Sequence, residues 1–173
     1  MRWSKLRALV ENRFDPEIRN NISISSAAYG SCSCGHLWIT IDKKIVANFC
    51  TRAFYNRHLY QERRPKIFGG GKNPCPIPPY ITVSNNAKYG EVDYGEMSRQ
   101  GAYSSCWEFI HTLHIDNAIS SDNPLIQSLA VLDKRVGQQR LIAMQRKVLH
   151  PLFKCLLDYR LSKQSIHTLL ETK

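Results

Sequence analysis

The sequence predicts an α+β fold, an N-terminal helix and small antiparallel sheet followed by a mainly helical C-terminal half. Strand-like alternation is confined to the first third of the chain, where Trp38 and Thr40 alternate with Leu37, Ile39 and Ile41. Later, proline start signals at Asn123-Pro124 and His150-Pro151 each open a run of leucines at helical spacing. Between the two lies a stretch rich in proline and glycine. A chain of 173 residues suits one domain, 1–173, with a helix/sheet/helix part at 1–64, a loop at 65–90 and a helical part at 91–173.

Residues 4–14 form the first expected helix, with Leu6, Leu9, Val10 and Phe14 on one side and Arg7, Glu11 and Asn12 on the other. Asp15-Pro16 ends it. Residues 21–29 are β-prone. A hairpin follows, Leu37–Ile41 and Ile45–Cys50, around a polar turn at Asp42-Lys43-Lys44. Thr51 is placed to cap a helix over 52–64. The loop at 65–90 carries Gly69-Gly70-Gly71 and five prolines in Pro65, Pro74, Pro76, Pro78 and Pro79, with a short strand expected at Tyr80–Val83. A helix over 96–114 is expected to bury Trp107, Phe109, Ile110 and Leu113. The helix from Pro124 runs through Leu132 towards Gly137, and another starts at Pro151. Both of these segments contain Leu-Asp-x-Arg, at 132–135 and 157–160, but out of helical phase with each other, so no repeat is inferred.

Charge is the strongest functional signal. Residues 1–66 hold 12 Lys/Arg against 5 Asp/Glu, residues 67–128 hold 3 against 6, and residues 129–173 hold 9 against 3. The net +10 is thus two basic ends around an acidic middle. Basic segments attract polyanions, which makes nucleic acid the expected partner, with an acidic protein surface as the alternative. No apolar run is long enough to span a membrane, and the N-terminus lacks the pattern of a signal peptide, so a cytoplasmic location without membrane partners is expected. Without an export signal, the six cysteines are expected as buried free thiols.

Two basic faces stand out. On a helix over 52–64, Arg57, Tyr60, Arg63 and Arg64 share one side, with Arg52 and His58 near. Guanidinium forks grip phosphates, and a tyrosine among them can stack on a base. The second face is Lys134, Arg135 and Arg140, continuing to Arg146-Lys147; a helix breaking at Gly137 could present them like a helix-turn-helix, although the flanking pattern does not confirm one. For a single run of this kind, a solvated face is the plainer reading; two runs together bring binding level with it.

Candidate chemistry is weaker. Cys32, Cys34 and His36, with Cys50 nearby, offer metal ligands, but the spacing is tighter than a usual zinc pair and no second pair exists. Glu108, His111 and His114 recur at three-residue spacing on the expected helix, without the partner unit and glutamates that an iron site needs. Gly69-Gly70-Gly71-Lys72 is followed by Asn73-Pro74 and not by a helix start, so it reads as linker. No nucleophile elbow or cysteine-protease signature is present. The expectation is therefore no catalytic residue, no metal and no cofactor.

The opening Met1-Arg2-Trp3-Ser4-Lys5-Leu6-Arg7, the Trp38-Ile39-Thr40-Ile41-Asp42 and Asn48-Phe49-Cys50-Thr51 segments, and Asn123-Pro124-Leu125 with Leu132-Asp133-x-Arg135-Val136-Gly137 resemble a small family of uncharacterised bacterial proteins. The resemblance spans most of the chain. It implies a compact bacterial cytosolic protein and brings no activity, cofactor or catalytic residue with it. Where a Gly-Lys-Arg-Arg-like stretch would be expected from the family, this chain has Gly137-Gln138-Gln139-Arg140, which dilutes the second basic face. The leading expectation is a non-enzymatic nucleic-acid-binding protein. The alternatives are an interaction module (antitoxin, immunity or regulatory partner) docking on an acidic surface, and a metal-dependent or thiol enzyme.

Overall fold

Leu6 and Val10 stand one helical turn apart, and their burial defines the inner side of the first helix. The computed structural model describes residues 1–28, 34–51, 53–54, 96–145 and 150–171. Helix α1 is Trp3–Glu11. Asp15 does more than end it. Its carboxylate accepts from the Glu17 backbone N–H at 3.0 Å and caps a short second helix, α2 (Pro16–Arg19), with proline at its first turn.

The sheet is three antiparallel strands in sequence order, β1 (Ile22–Ala28), β2 (Gly35–Ile41) and β3 (Lys44–Cys50). Register runs from Ile22 opposite Ile41 to Ala28 opposite Gly35, and from His36 opposite Cys50 to Ile41 opposite Lys44. The hairpin turn is tighter than the sequence suggested. Asp42 and Lys43 alone form it, with φ of 48° and 67°, and Lys44 already belongs to the strand. Two left-handed residues give the primed turn whose twist matches that of the strands. The Asp42 carboxylate accepts from Asn21 Nδ2 at 2.6 Å, which braces the turn. A bulge between Ile39 and Thr40 inserts one extra residue, Val46, so that Val46 and Ala47 are both buried.

Beyond the sheet come α3 (Arg99–His111), α4 (Ile115–Ile119), α5 (Pro124–Leu132), α6 (Gln138–Met144) and α7 (Pro151–Glu171). Asn123 caps α5 as expected, its Oδ1 accepting from Leu125 and Ile126 N–H, while Nδ2 donates to Ser105 Oγ of α3. Helix α5 is buried along nearly its whole length and packs on α7, α4 and α3. Helix α3 also crosses β2. Within the sheet, a Cβ at Gly35 would lie 2.1 Å from the Ala27 carbonyl oxygen and 2.9 Å from Ala28 Cα of the neighbouring strand, so the β1–β2 pairing requires glycine there.

One hydrophobic core joins the two halves, from Leu6, Ile24 and Phe49 to Phe109, Leu129 and Leu157. The α+β expectation therefore holds. Thr51, Ala53 and Phe54 are helical. The rest of the expected 52–64 helix, the 65–90 loop and the Tyr80–Val83 strand lie outside the described residues. Thr51 itself is held by α3, its hydroxyl donating to Gln100 Oε1 at 2.7 Å and accepting from Arg99 N–H at 3.3 Å.

Candidate nucleic-acid interface

Helix α5 stops at Leu132, five residues before Gly137, because Asp133 adopts extended backbone at ψ 129°. That turn lets Asp133 pair as an antiparallel bridge with Phe14. Asp15 N–H donates to the Leu132 carbonyl and Lys134 N–H to the Arg13 carbonyl, both at 2.8 Å. Phe14 and Asp133 are buried, and the bridge register sets Arg13 opposite Lys134 on the other side of the ribbon. Lys134 is exposed and Arg13 half-buried. Neither side chain has an acidic partner among the described residues. The two basic ends of the sequence therefore meet at this seam.

Beneath the seam sits Arg160 of α7, only 1% exposed. Its guanidinium donates to the Asp133 carbonyl at 2.9 Å, the Val136 carbonyl at 2.7 Å and the Val131 carbonyl. It also pairs with Asp15 Oδ2 at 2.8 Å. One buried cation thus ties α7 to the turn after α5 and to the α1–α2 junction. Such a charge is tolerated in the core because Asp15 balances it and both terminal nitrogens are satisfied by this set of acceptors, leaving Nε buried without a partner among the described residues.

Arg135 and Arg140 are less available than the sequence suggested. Arg135 folds back on the fully buried Asp133 carboxylate, donating from Nε at 2.9 Å and from a terminal nitrogen at 2.6 Å, while its N–H also reaches Oδ1 at 2.9 Å. That clasp raises the Arg135 pKa further above its ordinary value. Arg140, on α6, is exposed and bonded to Asp116 at the start of α4. The hydrogen bond from Arg140 holds the Asp116 carboxyl below its usual range. Of the three residues expected to form the second face, only Lys134 lacks an acidic partner among the described residues. The first face, Arg57, Tyr60, Arg63 and Arg64, lies outside the described residues, as do Arg146 and Lys147.

Among the described residues the metal candidates do not assemble. Helix α3 ends at His111, so Glu108, His111 and His114 do not share one helix. His114 instead caps α4, its Nδ1 near Asp116 N–H at 3.5 Å and Asp116 Oδ2 at 3.0 Å. Cys32 lies outside the described residues. Cys34 is buried, and His36 is buried on β2 opposite Cys50, stacked on Trp38 with ring centroids 4.3 Å apart. Among the described residues no group of three His, Cys, Asp or Glu side chains could hold a metal ion. Burial pushes the Cys106 thiol up to about 12 and the Cys155 thiol to about 11, so both are protonated at neutral pH and poor nucleophiles. No described helix is long and apolar enough to cross a membrane.

Sequence reasoning missed Arg13 and misplaced Trp107. Arg13 carried no local signal, since its importance comes from a pairing more than a hundred residues away in sequence. Trp107 is 42% exposed, because the buried stripe of α3 runs through Ala102, Ser105, Cys106 and Phe109 and leaves residue 107 on the opposite side.

No curated protein and no solved structure matches the chain significantly. A family model does, over residues 2–161, which includes α1, the sheet, the Phe14–Asp133 seam and Arg160. The chain belongs to the SF0329 protein family.

Proposed function

We propose that this is a non-enzymatic nucleic-acid-binding protein of the bacterial cytoplasm, and that the Arg13/Lys134 seam is its phosphate contact. The observation that supports this reading is the backbone pairing that sets two cations opposite each other without an acidic partner among the described residues. Like charges directly opposite on paired strands destabilise each other, and an anion between them relieves the repulsion. Two backbone hydrogen bonds and the Arg160 cluster hold the backbone of the seam, so the ordering entropy lost when a phosphate docks is mainly that of the two long side chains. Arg57, Tyr60, Arg63 and Arg64 remain the other proposed phosphate contacts, on the grounds of their sequence alone.

Arg135 and Arg140 are secondary in this reading, because their forks are already engaged by Asp133 and Asp116. Retention on immobilised DNA and RNA, eluted with a salt gradient, tests the proposal. The protein should be retained at low salt and released as salt displaces its phosphate contacts. Passage without retention of either nucleic acid at low salt sinks it. A single acidic protein recovered from the host after nuclease treatment would point to the docking-module alternative instead.

A further inference from the structure

Arginines in this fold differ in what holds them. Arg7, Arg135, Arg140 and Arg160 are each held by a carboxylate, so their charge is balanced within the molecule. Arg19 is held by a neutral group. From the last position of α2 its guanidinium donates to the side-chain oxygen of Asn12, the residue that follows α1. Arg99 is also held by a neutral oxygen, that of Ser26, but it is half-buried, whereas Arg19 and Asn12 are both exposed. An amide oxygen fixes the direction of a guanidinium without cancelling its charge, and it leaves the other donors of the fork open.

The acids around Arg19 are engaged elsewhere. Glu11 is taken by Arg7 and the Ile24 N–H, Asp15 by Arg160 and the Glu17 N–H, and Asp42 by the Asn21 amide. Glu17 leaves α2 about 200° round the helix from Arg19, and its charge acts on Arg160. Arg19 therefore has no acidic partner among the described residues. Its bond to Asn12 also brings it to the residue adjoining Arg13, whose backbone is paired with that of Lys134.

We infer that Arg19 is a further phosphate contact beside the seam, and that Asn12 is its positioning residue. The inference rests on the nucleic-acid reading above and adds to the seam an oriented fork able to take two oxygens of one phosphate. Arg13, Arg19 and Lys134 come from the ends of α1 and α2 and from the turn after α5, joined through Asn12 and the Phe14–Asp133 bridge. Several cations spread over one stretch of surface match the row of charges on a nucleic-acid backbone, whereas a lone carboxylate needs only one.

The test follows the affinity of labelled DNA duplex and RNA strand over a salt series by fluorescence anisotropy. Arg19→Ala should lower the slope of log K against log salt by about 0.7–0.9, the share of one contact. Arg19→Lys keeps the charge and loses the fork, so it should keep the slope and bind more weakly. Asn12→Asp separates a phosphate contact from a purely structural link. A carboxylate there holds the guanidinium at least as firmly, so an Arg19 that only ties α2 to α1 would bind nucleic acid as the wild type does. A phosphate contact would instead be neutralised, and the slope should fall nearly as far as in Arg19→Ala. Both side chains are exposed, so the fold should survive, as circular dichroism of each variant would verify. A wild-type slope in Arg19→Ala, or wild-type affinity in Asn12→Asp, overturns the inference and leaves the nucleic-acid reading standing. Displacement of the probe by polyglutamate as effectively as by unlabelled oligonucleotide would assign the fork to an acidic protein surface and likewise overturn it. Failure of the wild type to bind either polymer overturns both.

Discussion

The chain contains Leu-Asp-x-Arg twice, and the two copies have opposite fates. At 132–135 the aspartate is buried and the arginine lies at the surface, folded back to neutralise it. At 157–160 the aspartate is exposed on α7 and bound to Lys154, while the arginine is buried and reaches across the core. The residues are the same; the backbone differs. After α5 the chain turns extended to pair with Phe14, which puts Asp133 inside, whereas α7 continues as a helix and carries Asp158 and Arg160 to different sides of its cylinder. The comparison teaches that counting basic residues overstates the free positive surface. The C-terminal segment counts nine cations, yet Arg135, Arg140, Lys154 and Arg160 are all paired within the fold.

The sharpest way to break this contrast is to remove the buried arginine. Arg160→Ala would remove the cation paired with Asp15 and a donor from each of three buried carbonyls, and a loss of about 3–5 kcal/mol in urea unfolding is expected. A loss below about 1 kcal/mol would mean that Arg160 is not the staple described, since that is the range of an ordinary exposed pair.

Removing the surface arginine should cost less. Arg135→Ala leaves Asp133 one backbone donor, and about 1–3 kcal/mol is expected for the unpaired buried acceptor. The matching change in the other copy, Asp158→Ala, breaks only an exposed i,i+4 pair and should cost less than about 0.5 kcal/mol. Equal effects of Arg135→Ala and Asp158→Ala would erase the distinction between the two motifs.

The smallest expected effect separates these clusters from acid sensitivity. Neither arginine titrates near neutrality. His36 is different: its burial, opposed by a hydrogen bond with Asn48 and aided by the nearby Arg99 charge, holds its pKa below the ordinary 6.5. The unfolded chain therefore binds more protons at this position. His36 contributes its full stability above pH 6.5 and loses it as pH falls through the ordinary value towards the folded one. His36→Gln should flatten the dependence of unfolding free energy on pH between about 7 and 5. An unchanged slope would locate the acid sensitivity elsewhere.

Much of the fold was legible because its signals are local. Alternation at 37–41 exposed the hairpin, Asn123-Pro124 the start of α5, and Pro151 the start of α7. Helix α2 and the early stop of α5 were not, since Asp15-Pro16 reads locally as a helix end and the run from Pro124 reads as helical towards Gly137. Both are controlled by the 14–133 bridge and by Arg160, which are tertiary. For the same reason Lys134 could be named from sequence but its partner Arg13 could not. The expected helix at 96–114 was cut at His111, which separated His114 from Glu108 and dissolved the apparent ligand spacing.

The most direct test of the account is the salt dependence of nucleic-acid affinity for the wild type and for Arg13→Ala/Lys134→Ala. Two phosphate contacts should vanish together, lowering the slope of log K against log salt by about 1.4–1.8. Arg135→Ala, whose fork is held by Asp133, should leave that slope nearly unchanged. A double variant that binds with the wild-type slope would contradict the seam as the phosphate contact.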